Sequence, residues 1–191
     1  MIAPILKGKK VILKPMEPKH AQARYKWYND PKVARYQDFG SPSEEKLKQA
    51  IIKRRKSDDS LPLVIFTENN ELIGEIQLRE ISHRHKSAKL GINIGETNFW
   101  NKGYATDAIK TLCKYYFNKL KYNRIGLSLL PNNIAAVKCY QRCGFKKEGI
   151  SRKAFYSNGK FHDDLNMSLI KDDYKKIKIT KIIWQNKLMK N

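Results

Sequence analysis

Apolar positions recur along this chain with two periods, two residues in some stretches and three to four in others, and the alternation between them predicts its elements. Residues 10–14 read as a short strand stopped by Pro15, and a helix is expected over residues 18–29, closed by Asn29-Asp30-Pro31. Ser41-Pro42-Ser43-Glu44 combines a serine cap, a proline at the first helical position and a glutamate at the third. That helix is expected to reach about Lys56, with Leu47, Ala50, Ile51 and Arg54 on one face. Residues 63–67 and 72–78 predict strands joined by the turn Glu68-Asn69-Asn70-Glu71, and residues 88–94 predict another. Beyond Gly103, the positions Ala105, Ala108, Ile109, Leu112, Cys113, Tyr116, Phe117 and Leu120 keep the spacing of a buried helical face. Residues 124–130 form the next predicted strand, ended by Pro131. Asn132 or Asn133 then caps a helix through about Arg142, and Gly144 sits where a helix stops. Two last strands flank Asn158-Gly159, a two-residue hairpin signal.

This order predicts an α/β (α+β) fold, with a single mixed, mostly antiparallel sheet of six to seven strands and helices on both faces. Strand, helix, strand and helix in the second half demand a parallel pair inside that sheet, and ligands favour the carboxyl ends of such strands. One domain is expected over residues 1–174. The basic tail at 175–191 is compatible with an edge strand, a short helix or a loose end.

Composition narrows the class. The N-terminus has no long apolar run before Lys7, and no later stretch approaches the roughly 20 apolar residues of a membrane helix, so a cytoplasmic protein with no membrane partner is expected. Cys113, Cys139 and Cys143 form no C-x-x-C pair and too small a ligand set for a metal, so no metal is expected. Lys and Arg number 39 against 18 Asp and Glu, a net charge of +21. A nucleic-acid partner would exploit that excess, but the cations are spread along the chain with no basic stripe interleaved with aromatics, so nucleic acid is not expected as the main partner. The charge still favours a polyanionic ligand.

Two clusters carry candidate chemistry. In Trp100-Asn101-Lys102-Gly103-Tyr104-Ala105-Thr106, a glycine that permits close backbone approach precedes a strong helix whose first N–H groups lack partners. That is either an anion site or an ordinary turn. In the helix after Asn132, Asn133, Ala136 (or Val137) and Tyr140 share a face two turns long. They could hold an elongated ligand, or Asn133 caps while Tyr140 packs in the core.

Taken together, in this order and separation, the clusters resemble the GCN5-related N-acetyltransferases (GNAT), in the branch of ribosomal-protein N-terminal acetyltransferases and spermidine acetyltransferase. The family's pyrophosphate loop, Arg/Gln-x-x-Gly-x-Gly/Ala, is matched at Gly103 and Ala105, while Trp100 departs from its first position. The pattern Asn-x-x-Ala-x-x-x-Tyr…Gly-Phe-x-x-Glu-Gly is matched at Asn133, Ala136, Tyr140, Gly144, Phe145, Glu148 and Gly149. The resemblance spans about residues 8–172 and implies acetyl-CoA as co-substrate. It implies that backbone N–H groups from Asn101, Lys102, Gly103, Tyr104, Ala105 and Thr106 cradle the pyrophosphate. It further implies that the strand at Ile92, Asn93 and Ile94 pairs with the pantetheine arm and polarises the thioester carbonyl. Asn133 would bond the pantetheine beside Ala136, and Tyr140 would give a proton to the departing thiolate.

The attacking amine must be neutral, so a base or water chain is needed. Glu75, Glu80, His83, His85 and Glu96 lie on or near the central strands, and Glu80 ranks first as base, against the alternative of an ordinary exposed carboxylate. Residues 73–85 look like the matching segment of spermidine acetyltransferases. The acidic stretch expected to hold a polyamine reads Ala34-Arg35-Tyr36-Gln37-Asp38-Phe39-Gly40, with Asp38 alone. The expected activity is direct acetyl transfer in a ternary complex to a primary amine, on a small molecule or a protein. Candidate acceptors are a protein α-amine, a nucleotide-linked amino sugar and a polyamine. The alternative is a non-catalytic CoA- or RNA-binding module. A monomer or a homodimer is compatible with the sequence.

Overall fold

The computed structural model describes residues 3–37, 40, 42–157 and 159–177. Strands β1 (Leu6–Lys7) and β2 (Val11–Pro15) lead into helices α1 (Ala21–Tyr28), α2 (Pro31–Ala34) and α3 (Glu44–Lys56). Strands β3 (Leu61–Thr67), β4 (Leu72–Ser82) and β5 (Ser87–Ile94) follow, then α4 (Tyr104–Asn118), β6 (Arg124–Leu129), α5 (Ile134–Arg142), β7 (Lys146–Ser157) and β8 (Lys160–Ile170). The strands form one sheet in the order β1-β2-β3-β4-β5-β6-β8-β7. Every neighbouring pair is antiparallel except β5 and β6, the parallel pair that the strand-helix-strand order demands.

Eight strands stand where six to seven were expected. The addition is β1, two edge residues paired through Leu6↔Leu13 and Lys7↔Ile12, too short to produce an alternation. The first helix opens as a 3-10 turn at Pro18–His20 before becoming α1. The start of α3 also shifts. Ser43 caps it, its hydroxyl accepting from the Lys46 N–H at 3.3 Å, with Glu44 and Glu45 in the first turn facing the positive helix end. Pro42 precedes that cap, and Ser41 lies outside the described residues, as do Asp38, Asn158 and the tail beyond 177. Residues 171–177 are helical, a helix that begins within the expected domain and takes in the first three residues of the tail. Ser157 pairs with Lys160 across a two-residue turn in which Gly159 has φ 74°, the left-handed backbone the hairpin signal anticipates.

Apolar faces divide the core in two. Ala108, Ile109, Leu112, Cys113, Tyr116 and Phe117 of α4 bury against one sheet face, in the larger cluster, which also takes Val137 and Tyr140 of α5. On a second, smaller cluster, Leu47 and Ile51 of α3 pack with Met16, Ala21 and Val64. Each Leu, Ile, Val, Phe or Met among them contributes about 1.5–3 kcal/mol when fully buried. Among the described residues no helix is long and apolar enough to cross a membrane.

Gly95, just past β5, lies against the face of Trp27, which is 1% exposed, and a Cβ there would fall inside the indole. Gly95→Ala is expected to destabilise the fold by about 1–3 kcal/mol, the usual range for overpacking, lowering Tm by several degrees in a thermal melt. An unchanged Tm would mean that Trp27 is not fixed there.

Candidate active site

β5 and β6 are bonded to each other only where Ser87, Ala88 and Lys89 face Arg124, Ile125 and Gly126. Beyond that point they part. β5 runs on to Ile94, held on its far side by β4, and β6 runs on to Leu129, held on its far side by β8. The parted edge of β5 carries backbone groups with no strand to bond. The Gly95 N–H donates to the Ile73 carbonyl at 2.9 Å, so antiparallel alternation turns the backbone groups of Gly91 and Asn93 toward β4 and those of Leu90, Ile92 and Ile94 toward the gap.

That geometry separates three residues expected to act together. Ile92 and Ile94 present their N–H groups to the gap. Asn93 does not: its backbone belongs to the β4 ladder, and its side chain shares a sheet face with its cross-strand partner Glu75. The Ile94 carbonyl is already occupied, accepting from the Trp100 indole N–H at 2.7 Å. Trp100 therefore ties the loop before α4 to the end of β5, a role its departure from the family pattern did not reveal.

Behind that tether the chain turns through two left-handed residues, Asn101 (φ 58°) and Gly103 (φ 85°), the second of which is the N-cap of α4. Gly103 has no side chain to cap the helix, and a Cβ at this position would meet nothing within 4 Å. The first internal bond of the helix runs from the Asp107 N–H to the Gly103 carbonyl at 3.0 Å, so the N–H groups of Tyr104, Ala105 and Thr106 lack intrahelical acceptors. Their dipoles and open approach suit a diphosphate. The Lys102 carbonyl accepts from Lys10 Nζ at 3.0 Å, which anchors the loop and brings a cation beside it. Asp107, the acid of the first turn, accepts from the backbone N–H groups of Lys10 (2.7 Å) and Val11 (3.2 Å).

α5 forms the other wall. Asn133 is its cap, with Oδ1 accepting from the Ala136 N–H at 3.2 Å, so the Ala136 backbone is committed and the Asn133 amide nitrogen is what remains for a ligand. Thr106 Oγ1 lies 3.3 Å from Cys139 Sγ, which joins α5 to the start of α4. The Cys143 thiol donates to the Thr106 carbonyl at 3.7 Å, a second link between these helices, and the adjacent Cys143 thiol lowers the Cys139 pKa against the effect of burial. These thiols are packing elements between two helices, free of disulfides. Tyr140 is 8% exposed and its ring leans on Phe145 at 5.6 Å. Its hydroxyl is not among the fully buried unpartnered atoms and has no hydrogen-bond partner among the described residues. Burial, with the neighbouring thiols adding and Arg79 opposing, pushes its pKa up, so the phenol stays protonated at neutral pH.

The expected base does not reach this place. Glu80 sits on the β4 bulge with φ 50°, its side chain 62% exposed and ion-paired to Lys89 at 2.7 Å. The strand irregularity between Arg79 and Ser82, invisible to a period-two reading, turns it toward solvent at the closed end of the strand pair. His83 bonds the Tyr122 hydroxyl and the Asp58 carbonyl, and His85 is exposed on the same turn. Glu96 accepts from the Trp27 indole at 2.8 Å and pairs with Lys26.

Glu75 holds a buried cluster. Arg24 Nε donates to it at 2.5 Å, the Tyr28 hydroxyl at 2.6 Å, and Arg24 Nη2 donates to Tyr28 at 2.5 Å. Burial opposes the Arg24 charge, but Glu75 and Tyr28 outweigh it and raise its pKa. Arg24 Nη1 and the Asn93 amide nitrogen are buried without hydrogen-bond partners among the described residues. Sequence reading missed Arg24, because a lone arginine on a polar-looking helix gives no sign that it faces inward. Its three-residue spacing from the buried Ala21 and Trp27 was the available clue.

The comparisons with known proteins agree with this geometry. The family model described as an acetyltransferase (GNAT) domain matches residues 10–146, well over half the chain. This chain belongs to the GNAT family. It is an acetyl-CoA-dependent N-acetyltransferase, and the parted strands, the open glycine and the free helix amides fit CoA. Among curated relatives, an uncharacterized N-acetyltransferase p20 of Bacillus licheniformis is 28% identical, covering 86% of this chain and 95% of the relative. The spermidine N(1)-acetyltransferase of Vibrio cholerae is 28% identical over 78% of this chain and 80% of its own length. A crystal structure of spermidine N-acetyltransferase from Vibrio cholerae, in complex with CoA and spermine, superposes with a TM-score of 0.80 at 26% identity, covering 86% of this chain and 98% of that one.

Removing the Glu75 carboxylate strands a buried guanidinium in this GNAT fold. Glu75→Ala is expected to cost about 3–5 kcal/mol in urea unfolding, and the double change Arg24→Met, Glu75→Leu to recover most of it. Equal losses in the single and double variants would show that the pair is not coupled.

Proposed function

We propose that this acetyltransferase works by direct attack of a primary amine on acetyl-CoA within a ternary complex, with Tyr140 as the acid. The observation that carries the reading is a buried phenol, kept protonated and with no hydrogen-bond partner among the described residues, on the helix that walls the gap between β5 and β6. The amides of Tyr104, Ala105 and Thr106, with the turn at Asn101, Lys102 and Gly103, hold the pyrophosphate. The N–H groups of Ile92 and Ile94 accept the pantetheine arm as an extra strand edge and turn a donor toward the thioester carbonyl. The Asn133 amide nitrogen fixes the arm beside Ala136.

As the amine nitrogen bonds to the acetyl carbon, the carbon–sulfur bond breaks and the leaving sulfur takes the Tyr140 proton. The proton shed by the amine goes to water. A placed donor of this kind supplies about 10²–10⁴-fold in rate. The non-catalytic alternative leaves an unbonded, protonated phenol without a purpose. We place the protein in the cytoplasm on the same reading, since acetyl-CoA is drawn there from a common pool.

Tyr140→Phe is expected to lower kcat at least about 100-fold while CoA still raises Tm by mass action, as in the wild type. Thiol release during turnover and a thermal melt with CoA measure the two. Full activity in the variant would remove Tyr140 from the mechanism.

A further inference from the structure

We infer that the acceptor is a primary amine carrying a carboxylate or phosphate, and that a cavity at the open end of β6 holds this anion; the inference rests on the acetyl-transfer reading above. The cavity has a volume of about 310 Å³ and is lined by Arg35, Tyr36, Leu130, Asn132, Ser157 and His162. Leu130 and Asn132 lie between the last residue of β6 and the Asn133 cap, so the cavity adjoins the end at which β5 and β6 have parted. Arg35 and Tyr36 come from the end of α2, while Ser157 and His162 come from the hairpin of β7 and β8. Three separate segments thus converge on one space at the mouth of the cleft.

Their chemistry is one-sided. The Arg35 guanidinium stands 5.2 Å from the centre of the Tyr36 ring, which orients it without neutralising it. A nitrogen of His162 lies 3.3 Å from the Ser157 carbonyl, which steadies the imidazole at the wall. Tyr36, Asn132 and Ser157 add uncharged hydrogen-bonding groups, and no carboxylate is among the described residues lining the cavity. A guanidinium flanked by hydroxyl and amide donors is a receptor for a carboxylate or phosphate. A polycation entering the same space meets a like charge, with no carboxylate among the described lining residues to offset it.

The buried cluster on β4 has the same bias: Arg54 is affected by Arg24 and Arg79 against the one carboxylate of Glu75, and its pKa is lowered by burial and by those two cations. Proton balance points the same way. No described residue lining the cavity is a carboxylate that could take the amine's proton, and an α-amine of pKa about 7.7–8.0 is far more often neutral at pH 7 than a lysine-like amine near 10.4.

The test uses the full chain, acetyl-CoA and matched acceptors: glucosamine 6-phosphate against glucosamine, alanyl-alanine against its C-terminal amide, and spermidine. The expected result is that the anionic member of at least one pair exceeds its neutral partner by about tenfold or more in kcat/KM. Which pair responds separates phosphate from carboxylate. Arg35→Gln should reduce that preference about tenfold, chiefly through KM, the size of one charge-assisted hydrogen bond, and Arg35→Lys should restore part of it. Spermidine outperforming both anionic amines, or a preference unchanged in Arg35→Gln, would overturn the inference while leaving acetyl transfer intact. If CoA binds but no amine reacts, the catalytic reading fails. The cavity is then judged by whether glucosamine 6-phosphate raises the Tm of the CoA complex in the wild type but not in Arg35→Gln, and no shift overturns it.

Discussion

The separation of β5 from β6 is the constraint around which this GNAT domain is organised. Each strand is held on its outer side, β5 by β4 up to the bulge at Glu80 and β6 by β8, so neither can shift to close the gap without breaking a ladder. Backbone donors left on such an edge cost free energy unless water or a ligand bonds them. An extended chain bearing amides satisfies them in the way a strand would. The same parting sets the carboxyl ends of two parallel strands beside the starts of α4 and α5.

Electrostatics adds direction to that shape. Positive ends of helices, Lys10 beside the loop and a net charge of +21 all draw an anionic co-substrate inward. Deeper in the sheet, the charge of Arg24 is tolerated because Glu75 and Tyr28 bond it from two sides, and the cluster locks α1 onto β4.

Much of this was legible in the residues. The periodic face of α4 named six of its buried side chains, the turn between β7 and β8 passes through a left-handed Gly159 where a hairpin was read, and Gly103 opens α4 at φ 85°, a backbone that glycine adopts freely. What escaped depended on contacts distant in sequence. β1 is too short to alternate, and the true cap of α3 lies two residues past the first serine. A bulge swings Glu80 into solvent, and the ladder phase that removes Asn93 from the gap is fixed by a bond from Gly95 to Ile73. Spacing alone gives which side a strand residue faces, but not which edge its N–H serves.

That edge assignment can be measured directly. Amide hydrogen exchange with and without CoA is expected to show new protection at Ile92, Ile94, Tyr104, Ala105 and Thr106, with Asn93 already protected in the free protein by its ladder bond to β4. Protection that appears elsewhere, or an Asn93 amide that slows only when CoA is present, would contradict the account.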